Sequence, residues 1–157
     1  MEIVLLTVGK TQTGFVKDGI ENYVARLRHY VAYSIIEVPD VKQAGRLPEQ
    51  KQKEEEGKAI LSRLATSDLV ILLDERGKEY SSMEFATRME SWMAGGRKRI
   101  VFVVGGPYGF SQAIYERADG KVSLSRMTFN HEMVRLFFTE QIYRAMTILR
   151  GEPYHHE

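Results

Sequence analysis

The chain has no cysteine among its 157 residues and only four prolines. Without cysteine there is no disulfide framework, no thiolate nucleophile and no cysteine-based zinc site. The four histidines, His29, His131, His155 and His156, show no HExxH or similar ligand spacing, so no metal is expected. An excess of either charge is also missing: 22 Lys and Arg stand against 21 Asp and Glu, a net charge of +1. That balance is not the footprint of a protein that grips bare nucleic acid through a continuous basic surface, although it leaves room for a local basic patch. No apolar run approaches the roughly 20 residues that cross a bilayer, so no membrane partner is expected. The opening MEIVLLTVGK carries an acid at its second position and too short an apolar run for a secretory signal, which makes a cytoplasmic location the expectation.

What is present is ordinary globular composition, 43% hydrophobic and 27% charged, in a length that suits one domain over residues 1–157. Glu2 to Val8 reads as a buried strand ending at Gly9. Phe15, Ile20, Val24 and Leu27 then recur at helical spacing as far as about His29. Tyr33 to Val38 is a second strand, and EQKQKEEEGKAILSRLA a helix with one long face to water and apolar residues at Ile60, Leu61 and Leu64. A third strand runs from Asp68 to about Asp74 and stops at Arg76-Gly77. Ser81 to Glu84 fits a capping box, followed by a helix striped with Phe85, Met89, Trp92 and Met93 and ended by Gly95-Gly96. RIVFVVGG is a fourth strand, and KVSLS from Lys121 a shorter fifth. Strands alternating with helices predict an α/β fold, a parallel sheet with flanking helices.

The last helix, about Asn130 to Arg150, is apolar on more than one side. Val134, Phe138, Ile142, Ala145, Met146 and Leu149 share one face, while Met133, Leu136, Phe137 and Tyr143 occupy much of the other. Such a helix must be covered on both sides. One thin sheet covers one side, so the second face is expected to meet another copy of the chain in a homodimer; a helix fully internal to one subunit is the other solution.

Chemistry gathers at three places. VVGGPYGFS follows a strand, and its glycines let main chain approach a ligand at the carboxyl edge of the sheet, as they would also serve a plain tight turn. It is not a GxGxxG fingerprint and lacks the Lys-Ser/Thr ending of a P-loop. A second strand end, LSRMTF, is expected beside it, so that two loops offer amides and carbonyls to an adenine ring between apolar walls of Leu73, Leu124, Met127 and Phe129. His131 and Arg135, and Glu140 and Arg144, stand four apart on the last helix; capping, packing and an intrahelical ion pair account for them unless that face is an interface. The tail GEPYHHE stiffens at Pro153 and presents Tyr154 and His155, either as a frayed end or as a lid that stacks on a base and handles a proton.

Taken together and in order, LLDERGK, VVGGPYG, SLSRMTFNHEMVR, EQIYRA and RGEPYH resemble the small bacterial SPOUT methyltransferases that modify N(3) of a pseudouridine in large-subunit ribosomal RNA. The likeness runs nearly end to end. It implies a parallel α/β sheet whose C-terminal segment is tucked into a trefoil knot, a homodimer, and ribosomal RNA in the ribosome as partner. S-adenosylmethionine is the implied cofactor, held at Leu73, Gly105, Leu124, Ser125, Arg126, Met127, Thr128 and Phe129. The same resemblance places His131, Arg135, Glu140, Tyr143 and Arg144 on a helix in the dimer interface and makes Tyr154 and His155 the tail that closes over the target. Glu140, Arg144, Tyr154 and His155 are therefore the candidate catalytic residues. The family often has arginine where this chain has His156, so a phosphate contact is not carried over to that position. Two other classes fit parts of the pattern, an RNA- or ribosome-binding factor with this fold but no catalysis, and a nucleotide-dependent oxidoreductase. The missing dinucleotide fingerprint opposes the second.

Overall fold

In a computed structural model that describes residues 1–157, five strands form one parallel sheet. In chain order the elements are β1 (Glu2–Val8), α1 (Gly14–Leu27), β2 (Ala32–Val38), α2 (Glu49–Leu61), β3 (Leu69–Glu79), α3 (Ser82–Ala94), β4 (Arg99–Val104), α4 (Gln112–Arg117), β5 (Gly120–Ser123) and α5 (Met133–Leu149). The strands lie in the order β2-β1-β4-β3-β5. Both faces are covered, which is why the central strands β1 and β4 and the first half of β3 read as apolar runs rather than alternating. Ile3 and Leu5 of β1 point to the face carrying α1, α3 and α5, with Leu27, Met89 and Phe138. Val4 and Leu6 point to the other, with Ile60 of α2 and Ile114 of α4. Phe138 sits at the centre of the larger cluster, its ring 4.7 Å from that of Phe102 and 6.4 Å from that of Phe85.

Local signals explain several boundaries. Ser81 Oγ accepts the Glu84 amide at 3.1 Å, the cap expected from its sequence motif, and Gly95 closes the same helix. Asp68 ties the start of β3 to that of β4: Arg99 donates to both its oxygens, at 2.6 and 2.9 Å, and the Ala65 amide adds a bond of 2.7 Å. Burial opposes ionisation of Asp68, yet these donors hold its carboxyl below the ordinary carboxylate range.

Four expectations need correction. Phe15 is 68% exposed, because Val16 and Ile20 take the inward positions of α1. Arg76-Gly77 does not end the third strand. β3 bulges between Leu73 and Lys78 and resumes pairing with β5, so that Val122 is opposite both residues. A Cβ on Gly77 would stand 2.7 Å from the Val122 main chain, so only glycine lets the two strands close after the bulge. The loop after β5 is not next to the loop after β4, because β3 lies between those strands. His131 precedes α5 rather than riding on it; Asn130 Oδ1 accepts the amides of Glu132 and Met133 at 2.9 and 3.2 Å and starts the helix there.

The second face of α5 is partly covered by its own chain. Leu136 packs on Gly19 of α1, where an added Cβ would lie 2.9 Å from its side chain, and Tyr143 meets the rings of Tyr23 and Tyr30 at 5.7 Å. Phe137 stays 45% exposed.

Candidate active site

The carboxyl ends of β1, β4, β3 and β5 open into one cleft of about 940 Å³, and Val8, Val104, Leu73 and Leu124 mark where the strands enter it. The position is the one expected for open α/β sheets, where ligands bind beyond the strand ends near a reversal of strand order. Gly105 lines the cleft, and so do Leu124, Ser125, Met127, Thr128 and Phe129. Their loop is folded on itself: Ser123 Oγ donates to the Ser125 carbonyl at 3.0 Å, and Ser125 Oγ accepts the Met127 amide at 2.9 Å. Arg126 is not part of this wall; its side chain is 84% exposed and lies 3.7 Å from Glu79.

The rim between these loops comes from the β3 bulge. Asp74 Oδ1 accepts the Arg76 amide at 2.9 Å, and Tyr115 of α4 donates to Oδ2 at 2.5 Å. Burial works against the Asp74 anion, but these donors and the charges of Arg76 and Lys121 still keep its pKa low. The cleft edge therefore carries a fixed negative charge. At the opposite edge Arg135 is 1% exposed and makes five bonds, to the carbonyls of Val8, Gly9 and His131, to Thr11 Oγ1 and to Glu37. Burial lowers its pKa, offset by Glu37, Glu132 and Asp40. Glu132 accepts the Gln12 and Thr13 amides at 3.0 and 2.8 Å. Asn130, Glu132 and Arg135 thus fasten α5 to the chain after β1, while His131, 68% exposed at the side chain, is left facing the cleft.

The four candidate catalytic residues form a second group. Arg144 donates to Glu140 at 2.6 Å and to His155 Nδ1 at 3.0 Å, and Tyr154 donates to the same Glu140 oxygen at 3.0 Å. Tyr23 of α1 touches the Tyr154 hydroxyl at 3.2 Å, and the Arg144 guanidinium lies 4.9 Å from the Tyr154 ring. Burial and the bonds to Tyr23 and Glu140 push the Tyr154 pKa up, so its phenol stays protonated. Arginine can only donate, so His155 Nδ1 is the acceptor in this arrangement and a ring proton sits on Nε2, which lies 3.5 Å from Glu157 Oε1 and makes no hydrogen bond in the chain.

The two groups do not meet within one chain. None of Glu140, Arg144, Tyr154 and His155 lines the cleft. Ten residues of α5 separate Arg144 from the cleft residue Val134, about 15 Å at the helical rise. Sequence reasoning missed Asp74 and the α2 wall of the cleft, where Gln52 and Glu56 are buried inside a run of charges. The one signal for that wall was Gly57, which lets α2 approach Ser111. No group of three or more His, Asp or Glu side chains could hold a metal ion, and no helix is long and apolar enough to cross a membrane.

A family model described as "Predicted SPOUT methyltransferase" matches residues 1–155. The chain is 55% identical over 157 residues to the ribosomal RNA large subunit methyltransferase H of Porphyromonas gingivalis, covering 100% of both chains. Among solved structures, a probable methylase family protein from Haemophilus influenzae overlays with a TM-score of 0.51 at 13% identity, over 99% of this chain and 70% of that one. The SpoU methyltransferase AviRb from Streptomyces viridochromogenes, solved with AdoMet, overlays with a TM-score of 0.46 at 13% identity, over 96% and 58%. With its family match spanning nearly the whole sequence, the chain belongs to the SPOUT methyltransferases.

Proposed function

We propose that the protein is an S-adenosylmethionine-dependent methyltransferase, one domain over residues 1–157, that modifies N(3) of a pseudouridine in large-subunit ribosomal RNA. The observation that carries this is the full-length identity to a relative named for ribosomal RNA methylation. The cleft fits the methyl donor: bare main chain at Gly105 and Gly106, an apolar side from Leu73, Leu124 and Phe129 for the base, and acids at its edge for a cation. Leu73, Gly105 and the Leu124–Phe129 loop would hold it, and when bound it supplies an electrophilic methyl group on a sulfonium.

The chain's own residues then have three tasks. The cleft loops hold the donor, the tail covers the target base, and Arg144 stabilises negative charge as the imide proton leaves N(3). His155, with its proton on Nε2, donates to the base, while the imide proton passes to water or to Nδ1 once Arg144 has turned from it to the substrate. Glu140 and Tyr154 hold Arg144 and the tail until then. Because the catalytic group and the cleft lie about 15 Å apart along α5, the working enzyme is a homodimer in which the tail of one protomer closes over the cleft of the other. The exposed Phe137 fits such an interface. Trefoil threading of the C-terminal segment, a cytoplasmic location and action on the assembled ribosome complete the proposal. The near-neutral charge suits a large shaped particle, where many modest contacts replace one basic groove.

The test is incubation with labelled methyl donor and either ribosomes or separated subunits, followed by mapping of the labelled nucleoside. N(3)-methylpseudouridine in the large-subunit RNA is the expected product. Label on a ribose or a uridine would overturn the target. Donor binding with no label anywhere would favour a binding factor instead.

A further inference from the structure

The cleft wall facing the Leu124–Phe129 loop is built by α2, and it is unlike the rest of that helix. Gln52 and Glu56 are 2% and 4% exposed, one turn apart. Gln52 Oε1 accepts the Gly45 amide at 2.9 Å, which turns its amide nitrogen toward Glu56 Oε2 at 3.3 Å. Glu56 Oε1 is buried and has no partner. Native structures rarely leave such an oxygen unused. Both residues line the cleft, and a Cβ on Gly106 would overlap the Glu56 carboxylate, so that bend keeps the group uncovered. Burial raises the Glu56 pKa against the Gln52 bond, with Asp40 adding to the rise; an arriving cation would favour the ionised form.

Lys53, three residues before Glu56, also lines the cleft, is half-buried and has no ion pair. Its neighbours Lys51 and Lys58 both pair with Glu55, at 3.1 and 3.3 Å. One turn of α2 therefore presents a free cation and a half-satisfied acid to the same space.

We propose that Glu56 and Lys53 form a subsite for a zwitterionic amino-acid tail, Glu56 taking the ammonium group and Lys53 the carboxylate. The proposal rests on the methyl-donor reading of the cleft and fixes the direction of the donor in it. The nucleoside lies against Leu73 and the Leu124–Phe129 loop, and the methionyl end points to α2 across the Gly105-Gly106 bend. In this role Glu56 discriminates among nucleosides by their tails and is no mere brace for the bend.

Calorimetry with four ligands tests this: S-adenosylhomocysteine, its analogue with hydrogen in place of the ammonium group, its decarboxylated analogue, and methylthioadenosine, which has no amino-acid tail. The wild-type chain is expected to prefer S-adenosylhomocysteine over the des-amino analogue by about tenfold or more. Glu56→Gln should reduce that preference to about twofold while leaving methylthioadenosine affinity unchanged. Lys53→Met, at a position outside the core, should keep the des-amino preference and lose discrimination against a decarboxylated analogue, which carries the test even where Glu56→Gln fails to fold. Equal losses for all four ligands in Glu56→Gln would make the residue a brace, and an unchanged preference would place the ammonium elsewhere; either overturns the proposal. Absence of any binding by the wild-type chain is a distinct result that removes the donor reading and this subsite with it.

Discussion

Replacing Arg135 by methionine keeps the length of the stem and removes a guanidinium that donates five bonds, at 2.8 to 3.2 Å, from a site 1% exposed. Removing one member of a buried charge pair costs about 3–5 kcal/mol, because the partner is left unpaired. Here the partner, Glu37, is 34% exposed at its side chain and can turn to water, which discounts the cost to about 2–4 kcal/mol. The buried Gly9 carbonyl has no such escape. For a chain of this length each kcal/mol moves the melting temperature by about 2–4 °C, so a fall of about 5–15 °C is expected. Urea unfolding followed by circular dichroism gives the free energy, and the double-mutant cycle with Glu37→Gln separates the ion pair from the carbonyl bonds. A loss below about 1 kcal/mol would refute the claim that this side chain fastens α5 to the end of β1.

Asp68→Asn should destabilise the chain by about 2–4 kcal/mol at neutral pH, since Arg99 loses its charged partner. Because the folded pKa of Asp68 lies below its unfolded value, its contribution is complete above about pH 4 and is lost as pH falls through the folded value. The gap between wild-type and variant urea midpoints should therefore shrink on acidification, and a constant gap would contradict the assignment. Gly106→Ala drives a methyl group into the Glu56 carboxylate; S-adenosylhomocysteine affinity should drop by about tenfold or more, with about 1–3 kcal/mol lost in stability, and unchanged calorimetric affinity would show that the bend does not touch the ligand. Assayed at a donor concentration too low to load Gly106→Ala, that variant and Arg144→Ala, each with little activity alone, should recover about a quarter of wild-type methylation when co-expressed and randomly paired, because half of the dimers then hold one intact site of two. No recovery would return both groups to a single chain.

The strands were legible, and with them the ends of β1 and β4, because buried parallel strands are written as apolar runs with glycine after them, as in Glu2–Val8 and Arg99–Val104. The capping serine was legible because its bond spans three residues. Contacts between distant segments were not. Arg76-Gly77 reads as a stop, and only the close approach to Val122 reveals that β3 continues. Glu56 looks like one more acid in a solvated run until α2 packs on Gly106 and Ser111. Leu73, Gly105 and most of the Leu124–Phe129 loop were picked out piece by piece, but that β3 intervenes between the loops, and that the start of α5 rather than its middle lies at the cleft, follows from the strand order and packing, which no local pattern encodes.

The double use of Val122 by β3 has a structural consequence for how such a protein can diversify. Residues 74–77 leave the ladder and rejoin it at the same partner, so both ends of this small excursion are clamped by the sheet while its middle faces solvent at the mouth of the cleft. Extra residues spliced in between Glu75 and Arg76 would lengthen the excursion without shifting any strand. Selectivity for a new target could be remodelled there while the scaffold beneath stayed in register.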